Sequence, residues 1–341
     1  MRIGILGRMS SGRSTFFDAL TGQTANPHGA TKLRMGLAKV IDPRIDKLAA
    51  MYDPKKTTYA EVTLCLPPAA PAGPVDIPGL RELRDLRAYV QLVGAYAGET
   101  EDQILAEINA FSTELVLNDM ERVEKRHARI IKGGGDRPGE LAMLEKAGKC
   151  LEDEKPLRLL SWDEQEEVLL SEIGLLSWRC LITVVNVDDG RLADGLSDSI
   201  KNTIAEKGAE AMLLSATLEA EIATLDAEAQ AEFLEAYGLT EPVSIRFVQQ
   251  ALSMLQQICF FTVGKDEVRA WPIARDTHAR RASRTIHTDL EKGFIRAEVI
   301  TYTTLIEQGS EAACKSIGEL RVEGKDYIVQ DGDIINVRFN V

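Results

Sequence analysis

The chain is poor in the features that would place it outside the cell or across a membrane. Its five cysteines, Cys65, Cys150, Cys180, Cys259 and Cys314, are odd in number, widely spaced and without a Cys-x-x-Cys pair. That excludes a disulfide framework and a zinc site and leaves them as reduced, small hydrophobic residues. No apolar run approaches bilayer length, and Arg2-Ile3-Gly4-Ile5-Leu6 opens without a charged leader or a long apolar stretch. Neither a membrane span nor an export signal is expected, and the expected location is the cytoplasm. Positive charge is also in the minority, since 40 Lys and Arg against 53 Asp and Glu leave a formal charge of -13. Such a surface argues against a protein that coats DNA or bare RNA by general attraction, so any RNA contact has to be local.

What is present is enough for several cores: 341 residues, 45% of them hydrophobic, predict two or three domains. Ile3 to Leu6 is a short apolar run closed by Gly7, followed by a Gly/Ser loop and by Ser14-Thr15-Phe16-Phe17-Asp18-Ala19-Leu20 with helical character. Strand, loop and helix in that order open a parallel α/β sheet. Further strands are predicted over Met35 to Ile41, Glu61 to Leu66, Tyr89 to Val93 and Cys180 to Val185. The proline-rich stretch Pro67 to Pro74 breaks the chain into an irregular loop. Ile104, Ile108, Phe111 and Leu115 fall at helical spacing, charges dominate from Asp119 to Lys132, and Gly133-Gly134-Gly135 marks a reversal before a helix through Leu141, Leu144 and Leu151. From Thr262 the texture turns to short strands with Gly-centred turns, the last before Ile334 to Val341. The expected organisation is an α/β domain over 1–103 and 178–256, a helical hairpin over 104–177 and a small β-rich domain over 257–341.

Gly7-Arg8-Met9-Ser10-Ser11-Gly12-Arg13-Ser14 has Walker A spacing, with glycines at both ends and a serine, Ser14, at the magnesium position. Consecutive backbone N–H groups and a helix N-terminus converge there on phosphate, and glycine permits the turns. The usual lysine is Arg13. A guanidinium is larger, planar and forked, so the exchange is not conservative: binding is expected to survive and catalysis to suffer.

With the loop, Asp42-Pro43-Arg44-Ile45-Asp46-Lys47-Leu48, Pro54-Lys55-Lys56 and Thr113-Glu114-Leu115 at the opening of the helical stretch, the sequence resembles the YchF family of Obg-related ATPases and GTPases. The C-terminal runs Glu267 to Trp271, Ile286 to Asp289, Gly293 to Val299 and Glu323 to Val329 are similar to that family's TGS domain, a ubiquitin-like β-grasp module. The resemblance implies an α/β P-loop NTPase domain, an inserted helical coiled coil and a C-terminal TGS-like domain. It implies ATP or GTP as ligand with Mg2+, held by Gly7, Ser10, Ser11, Gly12, Arg13, Ser14 and Thr15, with Ser14 and Thr31 on the metal. It places base recognition at Asn186-Val187-Asp188-Asp189 and at Ser215. Asp189 has a carboxylate at the spacing that reads guanine, whereas the family often prefers adenine, so the base stays open.

Two more departures accompany Arg13. The third strand ends in Leu66-Pro67-Pro68 where an Asp-x-x-Gly motif belongs, and Asp76-Ile77-Pro78-Gly79 carries those letters about ten residues late. Between Leu80 and Leu92 the chain is too short for the family's glycine-rich switch, and no histidine stands at the family's catalytic position. His28, His127, His278 and His287 read as loop or surface residues. Two functions follow: a YchF-like nucleotide-dependent factor at the ribosome or another RNA-containing partner, with weak or absent hydrolysis, or a degenerate P-loop scaffold that works without a nucleotide cycle. The basic cluster Arg275, His278, Arg280, Arg281 and Arg284 is either a local RNA contact or a solvated face.

Overall fold

The computed structural model describes residues 2–23, 32–68, 86–133, 138–239 and 241–340. The chain forms two compact units, Met1–Ala38 with Thr63–Phe247, and Lys39–Val62 with Val248–Val341. The first half of the chain runs β1 (Arg2–Gly7), α1 (Arg13–Thr21), β2 (Arg34–Val40), α2 (Pro43–Tyr52), β3 (Lys56–Thr58), β4 (Ala60–Leu66), β5 (Ala88–Ala95) and α3 (Glu101–Gly133). It continues through α4 (Pro138–Glu152), α5 (Glu164–Ile173), β6 (Cys180–Val187), α6 (Asp198–Glu206), β7 (Glu210–Leu214), α7 (Ala216–Ile222), α8 (Ala227–Ala236) and α9 (Val243–Met254).

One sheet has the order β2-β4-β1-β5-β6-β7. β1 pairs in parallel with both β4 and β5, and β5, β6 and β7 continue in parallel. Ile3, Ile5 and Leu6 of β1, and Tyr89, Val90, Leu92 and Val93 of β5, are buried, as strands covered on both faces require. The chain leaves β1 on one side toward β4 and β2 and on the other toward β5, β6 and β7, so the order reverses at β1. In open α/β sheets that reversal opens a crevice at the strand C-termini.

α3 starts at Glu101, within three residues of the expected bound at Ile104 and ahead of the Thr113-Glu114-Leu115 motif, which lies inside a helix already under way. Ile104 and Ile108 pack with Val93, Val185, Ile200 and Ile204 against the sheet, and Phe111 and Leu115 with Leu6, Tyr89 and Leu181. From Val116 onward the same helix turns to α4 and α5, where Val123, Leu144, Leu151 and Leu170 form a separate core. One continuous helix therefore serves both the α/β layer and the insert. Asp119, at the head of the stretch where charges dominate, is wholly buried. Its carboxylate accepts the Leu176 N–H at 2.9 and 3.0 Å and the Ser177 N–H at 2.7 Å, fixing the chain where it returns toward β6. Burial pushes its pKa up to about 6 against the pull of those donors.

In the second unit the remaining elements are β8 (Gln257–Thr262), β9 (Glu267–Ala274), α10 (Ala279–Ile286), α11 (Thr288–Lys292), β10 (Phe294–Thr301), α12 (Tyr302–Gln308), α13 (Glu311–Ser316), β11 (Arg321–Glu323) and β12 (Asp333–Phe339). The sheet order is β11-β10-β12-β8-β9-β3. Residues 39–62, expected within the nucleotide domain, belong here instead. The physical reason is twofold. β3 adds to β9 in parallel, with Lys56 opposite Glu267 and Thr58 opposite Arg269. On α2, whose N-cap Asp42 and following Pro43 begin the helix, the Arg44 guanidinium bridges Asp42 at 2.8 Å and Asp331 at 2.7 Å. Tyr52 also donates to Glu311 at 2.7 Å.

None of the five cysteines is in a disulfide, and only Cys180 among them is not buried. Among the described residues no helix is long and apolar enough to cross a membrane.

Glu219 on α7 sets a pH dependence. Its carboxylate accepts the Val243 N–H at 2.9 Å at the start of α9, and burial raises its pKa from 4.5 to about 7. Because the folded-state value is the higher one, its contribution is full below about pH 4.5 and is lost as pH rises through about 7. The wild-type protein is therefore expected to lose stability, on the order of 3 kcal/mol from this group, between pH 5 and 8. Glu219→Gln, which retains an acceptor for Val243, should flatten that slope in urea titrations across the range; parallel slopes would refute it.

Candidate functional site

The loop from Gly7 to Ser14 leaves the C-terminal end of β1 and enters α1. Three of its residues adopt positive φ: Gly7 at 145°, Ser10 at 60° and Gly12 at 93°. For the two glycines the need is steric as well as conformational. A Cβ on Gly7 would lie 2.4 Å from the Leu92 carbonyl oxygen, and one on Gly12 would lie 2.3 Å from Nδ2 of Asn186. Only glycine lets the loop settle this closely on β5 and β6.

Asn186, near the end of β6, is 4% exposed and both ends of its amide are used. Nδ2 donates to the Ser11 carbonyl at 3.1 Å, and Oδ1 accepts the Ala216 N–H at 2.8 Å. Ser215, also buried, caps α7 by accepting the Leu218 N–H at 3.3 Å. The three segments singled out from the sequence, namely the loop, Asn186 and Ser215, are thus brought together at the heads of β1, β6 and β7. Asp189 is half-exposed at the start of a short 3-10 turn, Asp189–Arg191. Arg191 anchors that turn by donating from Nη1 to the Ala95 carbonyl at 2.9 Å.

Ser10 and Ser14 are exposed on the loop, and Thr15 is half-exposed on the first turn of α1. Arg13 is 6% exposed. Its Nη1 and the Ser11 Oγ are buried without a hydrogen-bond partner, and burial lowers the Arg13 pKa. Buried donors of this kind leave capacity for a water or an anion. Together with the glycine-walled loop at a helix N-terminus, they fit the phosphates of a nucleotide. Arg13 and the loop amides would hold the phosphates, and Ser14, exposed on the loop, would meet the Mg2+ ion that such phosphates bring. Thr31, Asp76 and His28 lie outside the described residues. His127 is half-buried on α3, and His278 and His287 sit at helix N-termini in the second unit.

Sequence reasoning missed Tyr96. Its hydroxyl donates to the Ser10 carbonyl, one residue past the end of β5, and a Cβ on nearby Gly94 would lie 3.1 Å from the Ser11 Cα. No motif marks this tyrosine; its only signal is its place after a buried strand adjacent to β1.

A Walker-type loop at the reversal point of a parallel sheet, with a buried asparagine on the β6 head behind it, defines a P-loop protein of the α/β NTPase fold. The family model described as YchF-GTPase_C, protein of unknown function (DUF933), matches residues 257–340. The "Ribosome-binding ATPase YchF" of Bacillus subtilis (strain 168) is 32% identical over 361 aligned positions, covering 99% of this chain and 99% of that protein. The protein of the same name from Haemophilus influenzae is 34% identical over 362 positions, covering 100% of this chain and 99% of its own. The solved structure of the Schizosaccharomyces pombe YchF GTPase superposes with a TM-score of 0.86 at 26% identity, over 99% of this chain and 97% of that one. The chain belongs to the YchF family. Both sequence alignments are longer than its 341 residues, so it lacks segments that those relatives carry.

Asn186→Ala removes the tie between loop and α7 and leaves the buried Ala216 N–H without a partner. The expected cost is about 2 kcal/mol in urea unfolding, and an unchanged midpoint and slope would show that the loop is held by other means.

Proposed function

We propose that the protein is a YchF-type nucleotide-dependent factor that binds ATP or GTP with Mg2+, works at the ribosome, and turns nucleotide over slowly. The observation that carries the reading is the phosphate loop itself: two glycines walled in by β5 and Asn186, and buried Arg13 and Ser11 donors without protein partners. Relatives alike over nearly the full length are named ribosome-binding ATPases, and the structural relative a GTPase. A scaffold without a nucleotide cycle would have no use for such a loop, and the relatives' names do not favour it. Asn186 and Asp189 border the base side, where Asp189 offers a carboxylate acceptor; both purines remain within the proposal.

Slow turnover is inferred from side chains, whereas binding is inferred from the backbone. Phosphoryl transfer depends on charge placed around the γ-phosphate and on an oriented water. Arg13 stands in for the lysine and Leu66-Pro67 ends β4, where a magnesium-organising aspartate belongs. Losing one such contact costs on the order of a hundredfold in rate, without simple additivity. ATP or GTP with Mg2+ should raise the melting temperature by mass action, while steady-state hydrolysis stays near background and rises in Arg13→Lys. A robust wild-type rate that collapses in Ser14→Ala would reject the slow-turnover reading.

For the ribosome contact the basic face of α10 is the favoured surface. The helix buries Ala279, Ala282 and Ser283 and turns Arg280, Arg281 and Arg284 outward. Arg284 is partly neutralised by Glu291 at 3.7 Å, and Arg280 donates to the Glu291 carbonyl at 3.2 Å. If these guanidinium groups meet phosphate, Arg280→Ala with Arg281→Ala should weaken ribosome co-sedimentation and reduce its salt dependence by about two contacts' worth. Unaltered co-sedimentation and salt slope would assign the face to solvent.

A further inference from the structure

We propose that Tyr96 is a positioning residue of the nucleotide site: its hydroxyl, by holding the Ser10 carbonyl, presets the phosphate loop for its ligand. The inference rests on the nucleotide-binding reading and deepens it. Ser10 is the one non-glycine residue of the loop at positive φ, 60°. That sparsely populated conformation persists only where its surroundings over-determine it. It is also what makes the loop a phosphate nest, because alternating right- and left-handed residues turn successive N–H groups to one side. The carbonyl of Ser10 must then be held elsewhere, and the Tyr96 hydroxyl takes it.

The tyrosine itself is fixed from the side of the fold, not by burial. It is 40% exposed, so its ring gains little from packing, and its hydrogen bond to the loop needs another explanation than a core role. Gly94, two residues earlier, backs closely onto Ser11, where a Cβ would lie 3.1 Å from the Ser11 Cα. Arg191 grips the Ala95 carbonyl at 2.9 Å and the Glu99 carbonyl at 3.5 Å, and the Glu99 carboxylate accepts the Ala97 N–H at 2.8 Å. Residues 94–99 therefore form a strut between the phosphate loop and the Asp189–Arg191 turn, with Tyr96 as its contact on the loop side. A loop already in its bound shape has less ordering to undergo when the ligand arrives.

The test is Tyr96→Phe, which keeps the ring and removes the hydroxyl, measured by calorimetric titration with ATP, GTP, ADP and inorganic pyrophosphate in the presence of Mg2+. The loss of one hydrogen bond should raise Kd roughly three- to tenfold. Because Ser10 serves phosphate and not the base, the factor should be similar for all four ligands, and the ligand-free melting temperature should move by less than about 2 °C. Three results would overturn the proposal: unchanged Kd values with a lowered ligand-free melting temperature, which would make Tyr96 structural only; a loss confined to one purine, which would make it a base contact; or no change at all. If the wild-type protein binds none of the four, the nucleotide reading falls and the proposal with it. If the wild type binds and the variant binds equally well, only the role of Tyr96 falls.

Discussion

Everything at the site depends on the buried amide of Asn186. Its two ends hold the Ser11 carbonyl and the Ala216 N–H, so the phosphate loop and the N-terminus of α7 share one rigid spacer. A buried amide that lost either partner would carry an unpaired polar group, at a cost of about 1–3 kcal/mol; the arrangement is therefore all or nothing. It also explains Gly12, whose missing side chain is the space the amide occupies. From α7 the constraint runs onward. Glu219 ties that helix to the start of α9, and Phe247 of α9 meets Phe16 of α1 edge to face at 5.3 Å. Since α1 begins at the loop, the restraints close a circuit around the place where phosphate would sit.

Much of the first unit was legible because a parallel sheet writes itself plainly. Its strands are buried on both faces and appear as unbroken apolar runs, and the turn from β1 to α1 demands glycines at fixed offsets. What escaped detection depends on partners far away in sequence. Asp119 sits among charged residues on α3 and looks solvated, but three contacts from the backbone N–H groups of Leu176 and Ser177 bring its carboxylate inside. Likewise β3 is a three-residue strand whose register is set by β9, some two hundred residues away; nothing local in Lys56-Thr57-Thr58 announces it. The change of neighbours along α3 was hidden for another reason. An amphipathic helix shows which face is apolar but not that the apolar face changes neighbour halfway along, as α3 does between Leu115 and Val116.

The C-terminal unit illustrates how a resemblance and a local reading complement each other. Alternating short strands indicated a small β module, and the order β11-β10-β12-β8-β9-β3 shows why it needs residues from the N-terminal half. β9 would otherwise be an edge, and unpaired edges invite association with other chains. β3 covers that edge, while the Arg44 bridge to Asp42 and Asp331 fastens α2 within the same unit. The segment that connects β2 to β4 in the nucleotide sheet is thus also structural material for the second sheet.

The exchange of lysine for Arg13 separates two properties that the loop usually combines. Affinity for phosphate comes mainly from backbone N–H groups and the start of α1, and these are set by Gly7, Gly12 and Asn186 whatever stands at position 13. Turnover asks for a compact charge that follows the γ-phosphate as negative charge moves during transfer. A guanidinium delivers its charge over a rigid plane and through fixed N–H directions. Arg13 is held inside the fold with Nη1 lacking a protein hydrogen-bond partner. A loop preset by Asn186 from behind and fitted with a stationary cation favours the bound state over the transition state, and binding both equally would lower the dissociation constant without raising the rate.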